Sequence, residues 1–567
     1  MQASRCLLAT DVHAVTIEGD AVYHPCQGHF DTGRPLIPLL VGAFVLSGAA
    51  GLIYESIWTR YLGLFVGHSA YAQVIVLVIF LGGMAIGAHI ASDRSSRLRS
   101  PLLWYAGIEL VVGIMALGFH DAFTGMTTFA YDTLFPASTG MALVVAKWSV
   151  AGALILPQSV LLGATFPLMS AGVIRIARKE TEPGRTLALL YFANSIGAAA
   201  GVLIAGFMLV QLVGLPGTIM VAGFVNIIVA MAVGLVARSH QRLAQGAGLE
   251  ATGLEQVLQS PDTRGPDWRP LLFVAFGTAV ASFIYEIAWI RMLSLVLGSA
   301  THSFELMLSA FILGLALGAL WIRSRADHIA DPVRFLGVVQ WVMGLLAIAT
   351  LPLYVASFQW VGTLLHTVQA NQNGYRVFLL SRYVVALLVM VPATFCAGMT
   401  LPLITRVLMR GGAGERAIGS VYAFNTLGSI VGVILAALVL LPLLGLKALL
   451  VVGALVDIGL GVWLIARRGG AVREIVRRGI GRFRPTGGLG LTAALVATAI
   501  VMAFVPMAAP FDLARLTSGV YRHGQIASPS DFTFLFYRDG RTATVSMRRG
   551  LDGFVTLATN GKPDASM

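Results

Sequence analysis

Long apolar runs and short polar intervals alternate along the chain, and the runs have bilayer length. A helix needs about 20 apolar residues to cross the hydrocarbon core. Runs of that size fall at 37–58, 70–92, 101–119, 142–172, 187–212 and 215–237, then at 270–292, 302–322, 333–355, 376–408, 418–442 and 444–466. They predict twelve spans, with a thirteenth at 487–508. The two longest runs hold Pro157 and Pro167, and Pro392 and Pro402; each reads as one long kinked helix, because neighbouring helices satisfy the carbonyls that proline frees. The expected organisation is a polar, disordered head at 1–35, a six-helix repeat at 36–238 and a cytoplasmic linker at 239–268. A second six-helix repeat at 269–467, a basic loop at 468–486, the thirteenth span at 487–508 and a C-terminal β region at 509–567 follow. The fold class is an all-α polytopic membrane protein of two parallel six-helix repeats, with an extra span and a small antiparallel meander.

The intervals carry the orientation. Arg94, Arg97 and Arg99 follow span two, Arg175, Arg178 and Lys179 follow span four, and Arg238 and Arg242 follow span six. Arg323 and Arg325, Arg406 and Arg410, and Arg467, Arg468, Arg473, Arg477 and Arg478 follow spans eight, ten and twelve. The loop after span three carries Asp121 and Asp132 instead. Positive charge stays on the cytoplasmic side, so the N-terminus and linker are expected inside a bacterial plasma membrane.

The second half repeats the first. Ile53-Tyr54-Glu55 recurs 231 residues on as Ile284-Tyr285-Glu286, and at that offset Trp58, Arg60 and Gly67 match Trp289, Arg291 and Gly298. Gly83 and Gly87 match Gly314 and Gly318; Tyr191, Asn194, Gly197 and Gly201 match Tyr422, Asn425, Gly428 and Gly432. Gly163, Thr165 and Pro167 recur at Gly398, Thr400 and Pro402. An even number of spans per half makes the repeat parallel, about an axis along the membrane normal.

Composition agrees with a lipid environment. Hydrophobic residues make up 57% of the 567 and charged ones 12%, against about 25% charged in soluble chains. The net charge of +12 sits in short clusters between apolar runs. No basic face is interleaved with stacking aromatics, so nucleic acid is not an expected partner. Three scattered cysteines make no disulfide framework, and His24, Cys26 and His29 lack a second ligand pair with zinc spacing. No metal is expected.

Ionisable residues inside spans are costly unless paired or wetted. Glu55 and Glu286 occupy equivalent places, Glu109 corresponds to Gln340, Lys147 to Arg382 and Asn226 to Asp457, while Glu305 has no acidic counterpart. One reading puts Glu55, Glu109, Glu286, Gln340 and Asp457 in a central cavity that attracts a cation, with Lys147 and Arg382 as pairing or gating charges. The other makes Glu109–Lys147 an inter-helix ion pair and leaves Glu55 and Glu286 at the headgroups. The glycine pairs Gly83/Gly87, Gly197/Gly201, Gly314/Gly318 and Gly428/Gly432 read as close helix-packing sites.

Past span thirteen, a strand at 533–537, an Asp539-Gly540 turn, an alternating strand from Arg541 to Arg549 and a strand at 554–559 before Asn560-Gly561 predict a meander too small to stand alone. The chain resembles the bacterial proteins in which a major-facilitator-like membrane region is fused to a spermidine synthase domain. The resemblance rests on Ser47-Gly48-Ala49-Ala50-Gly51-Leu52-Ile53-Tyr54-Glu55 with Trp58 and Arg60, on Gly163-Ala164-Thr165-Phe166-Pro167, and on Tyr537-Arg538-Asp539-Gly540-Arg541-Thr542-Ala543-Thr544-Val545 with Asn560-Gly561-Lys562. It implies aminopropyl transfer from decarboxylated S-adenosylmethionine to putrescine, on a Rossmann-like domain that this chain lacks. No catalytic residue and no cofactor is therefore expected in this chain, which looks truncated within the opening hairpin region. The expected function is polyamine metabolism or polyamine transport in the lipid bilayer. The alternatives are a transporter of another small organic cation and a scaffold without transport.

Overall fold

The computed structural model describes residues 36–67, 69–95, 97–177, 183–246, 269–298, 301–325, 328–368, 371–409, 416–477 and 487–567. The head, with His24, Cys26 and His29, lies outside the described residues, as do most of the linker, Arg178, Lys179, Arg410 and Arg478. Helices of the first half are α1 (Leu36–Val66), α2 (Ser69–Ser95), α3 (Pro101–Leu117), the short α4 (Phe119–Phe129), α5 (Met141–Ala177), α6 (Pro183–Ile204) and α7 (Val210–Gly246). Those of the second are α8 (Arg269–Leu297), α9 (Thr301–Arg323), α10 (Pro332–Thr367), α11 (Gln372–Leu408), α12 (Arg416–Ile434) and α13 (Leu441–Arg477). Then come α14 (Gly487–Ala508), the short turns α15 (Leu513–Leu516) and α16 (Val520–His523), and strands β1 (Phe532–Asp539), β2 (Thr544–Gly550), β3 (Val555–Thr559) and β4 (Lys562–Ser566).

Among the described residues nine stretches are long and apolar enough to span a membrane. Two of them, Gly184–Arg242 and Ala417–Arg467, are interrupted at Gly214 (φ 66°, ψ −174°) and Gly445 (φ 77°, ψ 176°). A β-carbon is poorly tolerated at such a φ, which is why glycine marks each break. Short π-helical turns, Ala205–Leu209 and Leu435–Leu440, precede the two breaks. Pro101–Leu117 and Phe119–Leu134 form a bent pair at 54°. Pro157, Pro167, Pro392 and Pro402 all sit inside unbroken helices, α5 and α11.

The two halves pack alike. In the first, α1 lies on α6 and α7, α2 on α5 and α3 on α7; in the second, α8 lies on α12 and α13, α9 on α11 and α10 on α13. The halves meet where α2 packs on α12 and α6 on α9. Outward faces keep large apolar side chains exposed, such as Phe224, Ile228 and Leu235 on α7, a surface suited to lipid.

Helix direction gives the bundle two different ends. Arg94, Arg175, Arg238, Arg323, Arg406 and Arg467 mark one, the basic end. The breaks at Gly214 and Gly445 mark the other, to which α14 delivers the C-terminal segment. Its four strands form one antiparallel sheet in the order β1-β2-β3-β4, with a bulge between Phe534 and Phe536. The sheet finds its support on the chain itself: β1 packs on α13 and α15, and α16 on α8 and α10.

Candidate functional site

The Tyr-Glu-x-x-Trp sequence is repeated on α1 and α8, and in both copies residues four apart stack on one helix face. Tyr54 lies on Trp58 at 5.7 Å between ring centroids, and Tyr285 on Trp289 at 5.4 Å. The carboxylates beside these stacks are buried, with Glu55 6% and Glu286 2% exposed. They come from opposite halves. Glu286 Oε1 is buried and accepts no hydrogen bond. Two such carboxylates in a low-dielectric interior favour a positive charge between or beside them.

Glu109, Gln340 and Asp457 lie inside their own halves. Ser47 donates to Glu109 Oε1 at 2.5 Å; in the second half the equivalent Thr278 donates to Gln340 Oε1 at 2.9 Å, and Gln340 Nε2 donates to Thr400 at 3.0 Å. Tyr285 donates to Asp457 Oδ2 at 2.8 Å, whereas the equivalent Asn226 is buried with neither amide atom bonded. Each half thus buries a carboxylate and a carboxamide at these two positions, in exchanged places. Hydroxyl donors stabilise a buried carboxyl only partly, and Glu109 Oε2 and Asp457 Oδ1 have no partner.

Lys147 and Arg382 do not join the carboxylates. Lys147, near the start of α5, holds its ammonium 5.7 Å above the Phe135 ring. Arg382 donates to Ser303 and lies 5.3 Å over Phe378. The Glu109–Lys147 ion pair considered from sequence is therefore not formed, because Glu109 faces Ser47 on α1. Buried cations prefer an aromatic face or a hydroxyl close at hand when no carboxylate is in reach. Among the described residues, Arg60 and the buried Glu305 form an ion pair that the sequence alone does not reveal. Its members stand 245 residues apart, and only the cost of leaving each alone in a span connects them.

The eight paired glycines lie at helix crossings. A β-carbon on Gly87 would fall 1.8 Å from Val160 O, on Gly197 1.9 Å from Val45 O, on Gly318 2.0 Å from Phe395 O and on Gly428 2.2 Å from Phe276 O. On Gly83, Gly201, Gly314 and Gly432 it would likewise approach a neighbouring helix to within 3.0 Å.

A slot of about 20 Å³ opens between the halves toward the basic end, with room for about one water. Phe166, Tyr191, Thr405 and Tyr422 line it, with Phe166 and Tyr422 stacked at 5.7 Å. None of Glu55, Glu109, Lys147, Glu286, Gln340, Arg382 and Asp457 lines it.

At the opposite end the C-terminal sheet is held by charge. Arg291 of α8 donates to the carbonyls of Thr542 and Gly540 in the β1–β2 turn. Asp539 Oδ2 accepts from the Leu446 amide at 3.3 Å, and its Oδ1 accepts from Tyr537 and Thr544 at 3.0 and 2.8 Å. Lys447 donates to Ala509 O at 3.0 Å. Burial first, then the Asp539 charge, push the Tyr537 hydroxyl above its ordinary pKa, so it serves as a neutral donor.

No family model matches the chain. It is similar to polyamine aminopropyltransferase 2 of Streptomyces coelicolor (29% identity over 250 residues, 42% of each chain). It is also similar to polyamine aminopropyltransferase 1 of that organism (27% over 246 residues, 42% of this chain and 41% of the other). The chain thus matches less than half the length of these curated relatives. Among solved structures, the human organic anion transporter MFSD10 (TETRAN) aligns with a TM-score of 0.46 at 13% identity, over 76% of this chain and 99% of that one. The chain is a multi-pass helical membrane protein, and its sequence resemblance to the fused spermidine synthase proteins stands on the two aminopropyltransferases.

Proposed function

We propose that the chain forms the membrane region of a polyamine-linked protein. Its two repeats bind a small organic cation between Glu55 and Glu286, and its C-terminal sheet is the docked opening of an aminopropyltransferase-like unit. The carbon chain of such an amine suits the aromatic and aliphatic interior, and its ammonium groups suit the carboxylates. The observation that carries this reading is a carboxylate buried at equivalent positions in each of the two halves. Among the described residues, Glu286 Oε1 is buried with no hydrogen-bond partner. Positive charge is the missing counterpart, and an amine with two or more ammonium groups supplies it without a protein cation.

Orientation belongs to the same reading. The basic end faces the cytoplasm of a bacterial inner membrane, and the C-terminal sheet sits at the opposite end. No step of aminopropyl transfer is assigned to a residue of this chain. The test is flux of radiolabelled putrescine or spermidine in proteoliposomes holding the full chain. The E55Q/E286Q double variant is expected to reduce flux at least tenfold; unchanged flux would overturn the reading.

A further inference from the structure

Arg60 and Glu305 join the two halves near the end that bears the C-terminal sheet. Arg60 lies on α1, six residues before its last residue Val66, and Glu305 lies four residues after the first residue of α9. The Glu305 side chain is wholly buried and that of Arg60 is 17% exposed. Arg60 Nη2 donates to Glu305 Oε1, and His302 Nδ1 lies 3.4 Å from Oε2. The first half is shaped to receive this carboxylate. A β-carbon on Gly206, in the π-helical turn after α6, would stand 1.6 Å from Glu305 Oε2, and the Phe207 ring stacks on His302 at 4.9 Å. A little deeper, Ser309 of α9 donates to the Ala199 carbonyl of α6 at 3.0 Å. All of these contacts except His302–Glu305, which lies within α9, cross from one half to the other.

We infer that Arg60, Glu305 and the glycine notch at Gly206 form a latch that closes the bundle between its halves at the sheet-bearing end. The physical basis is the asymmetry between making and breaking a buried pair. While closed, each charge compensates the other; opening between α6 and α9 either wets both or strands one in a low-dielectric interior. The latch therefore holds only as long as both charges and the notch are present, and removing any one of the three has the same effect. It works from one side. Arg291, the counterpart of Arg60 on α8, is committed to the C-terminal sheet and, among the described residues, makes no bond across the halves. Opening is then a separation of α1 and α6 from α9, with the sheet travelling on the second half.

The inference rests on the reading of two halves that move, but its test uses no amine. In the full chain with Cys6, Cys26 and Cys396 changed to Ser, a reporter S309C is labelled with a membrane-impermeant maleimide in proteoliposomes. Ser309 is buried, so labelling is expected to be slow with the latch intact. E305Q, R60Q and G206A should each speed it at least tenfold, while R60K, which keeps the charge, should stay within threefold of the parent. No amine is present in this assay, so its outcome reports on the latch whether or not Glu55 and Glu286 bind one. Equal rates in the parent, R60Q and G206A would overturn the latch, as would a rise in R60K equal to that in R60Q. Should E305Q not yield monodisperse protein, R60Q and G206A decide alone.

Discussion

Arg60 and Arg291 occupy corresponding places on α1 and α8, and their guanidinium groups go to different kinds of partner. Arg60 meets the carboxylate of Glu305 across the halves, whereas Arg291 meets the backbone carbonyls of Thr542 and Gly540 in the C-terminal sheet. The same side chain at equivalent positions serves closure in one half and docking in the other.

Docking should fail first at Arg291. A charged hydrogen bond is worth about 1.5–3 kcal/mol, and R291A removes two of them. The expected outcome is faster hydrogen exchange at Gly540–Thr544, by at least tenfold, with the exchange of α1, α2 and α5 unchanged. R291K, which cannot span two carbonyls in the same fork geometry, should fall between.

The exchange of acid and amide between halves predicts an unequal pair of variants. N226D alone adds a buried carboxylate to a half that already holds Glu109 and should cost about 2–4 kcal/mol. N226D combined with E109Q copies into the first half the acid and amide placement of the second, where Tyr285 donates to Asp457; the equivalent Tyr54 hydroxyl has no hydrogen-bond partner among the described residues. The thermal midpoint of the double variant in detergent should lie above that of N226D.

Helix contact at Gly87 and Gly318 has no slack. G87A and G318A each bring a methyl group against a backbone carbonyl and should lower stability by about 1–3 kcal/mol. G107A should be within about 0.5 kcal/mol of the parent, because a β-carbon there meets nothing within 4 Å. Thermal unfolding of the three purified variants provides the comparison.

Much of the fold was legible because bilayer thickness imposes a length on apolar runs. The run beginning at 101 starts with α3, the stretch 487–508 is helical as α14, and each proline-containing run lies in one helix. The bend after Leu117 and the helix α4 were not legible, since their residues are less apolar and their packing is tertiary: Tyr61 pairs with His120 at 2.9 Å from another helix. For the site, residue type and equivalence pointed to Glu55 and Glu286, because an acid in a span is expensive wherever it faces. Depth and partner were not legible. Asp457 accepts from Tyr285 within the second half, a partner that residue type alone does not name. The C-terminal strands appeared to lack support because the surface that receives them is assembled from α8, α13 and the break at Gly445, each distant in sequence.

The most direct test of the central claim is equilibrium binding of radiolabelled spermidine to the purified full chain, compared with E55Q, E286Q and the double variant at matched monodispersity. Saturable binding that weakens at least tenfold in each single variant and is lost in the double is the expected result. Binding of equal strength in all four proteins, or none in the parent, would contradict the assignment of an amine to the Glu55–Glu286 pair.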